Sequence, residues 1–256
     1  MNKISIEGFS FHGLLEEGKM DIFHYLESLK YRYRIDGAGI WNGFLESIDQ
    51  DYIKKVKEAL DDREMVVPNI AVDKASIWSD DLEYREQCHQ NALAHLKAAE
   101  ILGAKSVRID WGVTDSDLTN EQFEFIAKRY QEYCDIAATA GFVVGPENHF
   151  GASLNPHLMK KMIDAVDHPA YKMLLHLGHW DIDAEIGDEM MLPYVMHTHV
   201  AQNIVETCLE EKIKLLIDAG YDGYWGVEHH TAENEFTQVE WQLNCVNRQL
   251  VLLGAK

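Results

Sequence analysis

Eight short apolar runs recur along the chain, each followed by a longer stretch in which apolar residues return every three or four positions. The runs cover residues 4–11, 34–41, 65–72, 106–112, 142–149, 172–177, 195–200 and 224–229 and read as buried strands. Between them, Tyr84, Cys88, Ala92, Leu96 and Ala99 share one helical face, as do Phe123, Ile126, Tyr130, Cys134 and Ala137. A further helix is predicted with Val205, Leu209, Ile213 and Leu216 on one face. Gly103, Gly141 and Gly220 each fall where a helix must end before a strand, a position whose left-handed backbone favours glycine. Thr119 or Asn120 can cap the helix after the fourth strand, with acids following. The weakest helix, 184–191, is short and is broken by Pro193.

Eight β/α units in 256 residues predict an α/β protein with a closed parallel (β/α)8 barrel, a fold of about 250 residues. A doubly wound open sheet is the second choice. Only five prolines and no low-complexity linker interrupt the pattern, so a single domain over 1–256 is expected. A hydrophobic content of 46% suits one large core.

Charge narrows the partners. Asp and Glu number 43 against 23 Lys and Arg, a net charge of −20, which repels nucleic acid unless a basic patch overcomes it. The densest basic run, Lys54-Lys55-Val56-Lys57, alternates with acids on a helix and reads as a solvated face. There is no apolar stretch of membrane length, and the first residues lack a signal-peptide profile, so no membrane partner and a cytoplasmic location are expected. The four cysteines are scattered, without a C-x-x-C pair, and read as reduced thiols.

In such a barrel the chemistry lies at the C-terminal strand ends. Strand five finishes Gly145-Pro146-Glu147-Asn148-His149, strand six His176-Leu177-Gly178-His179, strand seven His197-Thr198-His199-Val200 and strand eight Val227-Glu228-His229-His230. A lone histidine in a strand is usually core. Four carboxylate or imidazole groups at equivalent ends of successive strands converge on one point, which predicts a divalent metal held by Glu147, His176, His199 and Glu228. His149 shares the face of Glu147 and is a further base or ligand, whereas His197 lies one layer below His199 and suits a supporting role. His12, Trp41, Asn69 and Arg108 end or approach the ends of the first four strands and are candidate substrate contacts. Arg108 can fork onto a carboxylate, hydroxyl or phosphate, or be spent in a buried pair with Asp110.

The segment 145–151, then His176-Leu177-Gly178-His179, His197-Thr198-His199-Val200 and Val227-Glu228, resembles the sugar-phosphate isomerase/epimerase superfamily of xylose isomerase-like TIM barrels. That group includes ketose 3-epimerases, hydroxypyruvate isomerase, inosose dehydratase and, more distantly, endonuclease IV. The resemblance implies a metal, commonly Mn²⁺, at the matching Glu147, His199 and Glu228, and a substrate contact at His179. His176 stands where the ketose epimerases have an aspartate; the change adds one unit of charge to the ligand set and opens Zn²⁺ or Fe²⁺, beside Co²⁺ and Mg²⁺, as metals.

The chemistry implied is at a carbon next to a carbonyl: a cation on adjacent oxygens stabilises the enediolate, while Glu147 and Glu228 remove and return the proton. The expected activity is therefore isomerisation or epimerisation of a small keto sugar or polyol. A dehydratase or lyase on a keto sugar, keto-glycoside or inosose comes second. An endonuclease IV-like phosphodiesterase and a non-catalytic sugar-binding subunit are remote alternatives. The substrate is expected to lack phosphate, since no glycine-rich phosphate cradle is present, and homo-oligomerisation is expected from the resemblance alone.

Overall fold

The computed structural model describes residues 2–254. Its eight strands are β1 (Ile4–Glu7), β2 (Gly37–Trp41), β3 (Ile70–Ala71), β4 (Ser106–Arg108), β5 (Val143–Gly145), β6 (Met173–His176), β7 (Val195–Ala201) and β8 (Trp225–Glu228). Every pairing is parallel, in the order β5-β4-β3-β2-β1-β8-β7-β6. The two ends of that order meet as well. Isolated bridges join Val144 to Tyr171 and Glu147 to Leu174, so the barrel closes through a thin β5/β6 seam and the open-sheet alternative falls away. Seven strands are shorter than their predicted runs, which continue into the flanking loops, and β7 covers its whole run and one residue more.

Among the described residues ten α-helices accompany the strands: α1 (His12–Glu16), α2 (Ile22–Glu27), α3 (Gln50–Asp62), α4 (Leu82–Leu102), α5 (Asn120–Ala140), α6 (Pro156–Val166), α7 (Ala184–Met191), α8 (Gln202–Thr207), α9 (Leu209–Asp218) and α10 (Glu235–Leu252). In α4 the predicted face is buried from Cys88 to Ala99, while Tyr84 in the first turn is exposed. Thr119 caps α5 in a capping box with Gln122, and Gly141 follows at φ 83°. One expectation fails. The helix predicted through Val205 and Leu216 is two, because Cys208 sits at φ −147° between α8 and α9, outside the helical backbone conformation.

Outward-facing strand residues such as Ile6, Ile40, Ile70, Val107, Val144, Leu175 and Val227 are fully or almost fully buried beneath the helices. The inward face departs from the usual filling of a barrel by branched aliphatics. At the two-residue spacing of one strand face it carries Ser5 and Glu7, Asn69 and Ala71, Ser106 and Arg108, and His197 and His199. A polar interior on this scale is a cost to stability that the site above it must explain.

Candidate active site

The strand registers bring the four predicted ligands to one level. His176, the last residue of β6, pairs with His199 on β7. Glu228 closes β8 opposite Ala201, and Glu147 lies just past β5 at the seam with β6. Glu147 Oε1 is 2.9 Å from His199 Nδ1 and 3.0 Å from His176 Nδ1. Glu228 Oε2 is 3.2 Å from His199 Nδ1 and 3.8 Å from His176 Nδ1. One ligating atom from each of the four residues lies within 4.8 Å of the others, and all four residues are buried. Two carboxylates and two imidazoles aimed at one point are a donor set that fits a divalent cation of intermediate hardness.

Burial opposes charge on Glu147, but His199, hydrogen bonds from His176 and His199, and the Arg108 guanidinium hold its carboxyl well below the usual carboxylate range. Glu228 is likewise ionised against burial, by the charge and hydrogen bond of His199, by His230 and by His176. Burial works against a charged His199, yet Glu228 and Glu147 raise its pKa well above the usual imidazole value. Two carboxylates held in the charged form at one point make a site that attracts a cation.

Above the ligands opens a cavity of about 620 Å³. Trp41 forms part of its wall, with Nε1 donating to Asp73 Oδ2 at 2.7 Å. Arg108 lies at the floor, 5% exposed, with Nη1 on Asp110 Oδ2 at 2.7 Å and on Asp73 Oδ1 at 3.2 Å; its Nε is 3.4 Å from Glu147 Oε2. It is spent on three carboxylates rather than held free for a substrate anion. His179 faces the cavity with Nε2 3.1 Å from the backbone oxygen of His149. His149 stands half-exposed at the rim, Nδ1 3.0 Å from Asp110 Oδ2. Burial lowers its pKa, but the hydrogen bond to Asp110 and the charge of Glu147 leave it raised.

Two predicted substrate contacts lie outside the cavity lining. Asn69 is fully buried two residues before the cavity-lining Ala71, hence one layer deeper, and accepts from Ser106 Oγ at 2.9 Å. His12 stacks on Phe9 at 4.5 Å and bonds the Phe9 carbonyl, so it backs the wall that Phe9 itself presents. His197 is wholly buried beneath His199.

Sequence reasoning passed over Glu7, Phe9, Asp73 and Asn203, which also line the cavity. The signal for Glu7 was present, a lone acid inside an otherwise buried strand. Asp73, two residues past β3, could have been found by the rule that acids just beyond strand ends face the site.

Comparison with known proteins bears on this arrangement. The family model of xylose isomerase-like TIM barrels matches residues 33–248. No curated protein matches the chain in sequence. Among solved structures, 3-keto-D-glucoside 4-epimerase YcjR from E. coli superposes with a TM-score of 0.79 at 16% identity, over 97% of this chain and 100% of its own. D-psicose 3-epimerase from Clostridium cellulolyticum H10 gives 0.77 at 14% identity, over 98% and 99%. The probable 3-DHS dehydratase AsbF from Bacillus anthracis gives 0.71 at 16% identity, over 96% and 98%.

Proposed function

The chain belongs to the xylose isomerase-like TIM barrel family, and from that premise we propose that it is a divalent-metal-dependent isomerase or epimerase of a small neutral keto sugar or polyol. The observation that carries this reading is the convergence of Glu147, His176, His199 and Glu228 at the floor of a sugar-sized cavity. Two of the similar structures are a 3-keto-glucoside 4-epimerase and a D-psicose 3-epimerase, which supports the same class. Mn²⁺ is the first candidate for the metal. When bound, the cation supplies Lewis acidity toward a carbonyl oxygen, lowering the barrier to loss of the neighbouring proton.

This chain's residues do the rest. Glu147 and Glu228 are ionised and lie on different strands either side of the two imidazoles, so one carboxylate can take a proton from carbon and the other can return it. Arg108 and His230 hold those carboxylates in place, the latter with Nε2 2.7 Å from Glu228 Oε2. Phe9 and Trp41, with centroids 5.3 Å apart and edge-to-face, offer an apolar wall for the C–H face of a sugar ring.

A second reading, a dehydratase or lyase on the same substrates, draws on the His149–Asp110 pair. It places an acid at the rim, apart from the two glutamates, where it can protonate a departing hydroxyl. The phosphodiesterase reading is disfavoured. Asp110, Glu147 and His149 are near enough for a second cation, but Arg108 already puts its charge between Asp110 and Glu147.

The test is incubation of the Mn²⁺-loaded protein with neutral keto sugars and keto-glycosides in D₂O. Deuterium is expected next to the carbonyl without loss of water, and E147Q or E228Q should slow exchange by about 10² to 10⁴-fold. An unsaturated product would move the assignment to the lyase reading, and exchange persisting in both variants would overturn the roles of the glutamates.

A further inference from the structure

Beneath the four ligands lies a carboxylate that the proposed chemistry does not use. Glu7 is 3% exposed at the end of β1. Its Oε1 accepts from Ser5 Oγ at 2.9 Å and lies 2.9 Å from His197 Nε2. Its Oε2 is 3.7 Å from His199 Nε2, which has no hydrogen-bond partner. The other nitrogen of the same ring, Nδ1, faces Glu147 and Glu228. His199 therefore stands between the ligand cluster above and Glu7 below.

The barrel makes room for this arrangement. A Cβ on Gly39 of β2 or on Gly226 of β8 would collide with the Glu7 carboxylate, so two strands forgo a side chain where Glu7 sits. Burying an ion opposes folding, and the usual aliphatic residue of this barrel layer would carry no such cost. Packing does not account for the acid; a buried imidazole that must face a cation does.

We propose, on the premise of the metal site above, that Glu7 is its positioning residue. It selects the His199 tautomer that carries hydrogen on Nε2, which leaves the Nδ1 lone pair for the cation, and it raises the basicity of that ring. His197 and Ser5 hold Glu7 in turn. Glu7, His197 and His199 are themselves close enough to suggest a cation among them. Against that, Glu7 Oε1 is already engaged by two partners, so the assignment is a support and not a second site.

Titration of the whole chain with Mn²⁺ by calorimetry, for the wild type and E7Q, tests this. One Mn²⁺ per chain is expected, with E7Q melting near the wild type and binding about 10 to 100-fold more weakly. In ¹⁵N-histidine protein loaded with diamagnetic Mg²⁺, the ring shifts of His199 should place the proton on Nε2. Equal affinity in E7Q, a proton on Nδ1, or a second Mn²⁺ lost in E7Q would each overturn the role of Glu7. If E7Q does not fold, S5A, which removes one bond to Glu7, should weaken Mn²⁺ several-fold, and unchanged binding there would overturn the proposal. A wild-type chain that binds no divalent cation would instead remove the metal reading itself, and this proposal with it.

Discussion

At the scale of single residues, His176 has the largest say in what this centre binds. An imidazole in place of a carboxylate removes one negative charge from the ligand set and substitutes a softer donor, favouring Zn²⁺ or Fe²⁺ relative to Mg²⁺. H176D is expected to shift the Mg²⁺-to-Zn²⁺ affinity ratio toward Mg²⁺ by about tenfold or more, read by competition titration. Protons compete for the same centre. Because Glu228 and Glu147 hold His199 protonated against its burial, a cation reaching Nδ1 must displace a proton. Affinity should therefore fall as pH falls, by up to about tenfold per pH unit below the raised pKa of His199; Mn²⁺ titrations across pH 6 to 8 would show it, and a flat profile would contradict it. Each of the four candidate ligands was legible in the sequence because a charged or imidazole group ends an apolar run. The neighbours of Arg108 were not: its two-residue spacing from Asp110 foretold that pair, but Asp73 and Glu147 reach it from other strands.

At the scale of elements, the seam between β5 and β6 positions Glu147. Lys172 N donates to the Val144 carbonyl at 3.1 Å, Val144 N to that of Ala170 at 2.9 Å and Leu174 N to that of Pro146 at 2.9 Å, while the Asn148 side chain accepts from His176 N at 2.7 Å and donates to the His176 carbonyl at 2.8 Å. Gly145 permits this approach, since a Cβ there would overlap the Lys172 carbonyl. G145A should destabilise the protein by about 3 kcal/mol or more by denaturant unfolding, and weaken the metal as Glu147 shifts. A change below about 1 kcal/mol would mean the seam is more pliant than its contacts imply. The helices were read well where glycine and capping chemistry mark their ends, as in α5. The break at Cys208 carries no such mark, because no glycine or proline stands there.

For the whole molecule, electrostatics bears on the class of substrate proposed. Glu7, Asp73, Glu147 and Glu228 line the cavity against one Arg108, so a divalent cation still leaves the formal charge of these groups no better than negative. Together with a net charge of −20, this disfavours an anionic ligand. A neutral keto sugar should exceed its phosphate ester by at least about tenfold in kcat/KM, since like charge brought into a site is costly; a preference for the ester would overturn this view of the cavity. Among the described residues no helix is long and apolar enough to cross a membrane.

Periodicity and strand-end chemistry, both local properties, were enough to determine the barrel, its eight strands and the convergence of Glu147, His176, His199 and Glu228, because each strand repeats one pattern and the fold superimposes the ends. What only the tertiary structure decided is which groups meet from strands distant in sequence. Glu7 lies under His199 across 192 positions of chain, and Asp73 and Glu147 reach Arg108 from beyond the ends of two other strands. Depth within the barrel separates Asn69 from Ala71 on the same strand face. Those facts depend on register and layer, and a one-dimensional pattern encodes neither, because the hydrogen bonds that set them run between strands.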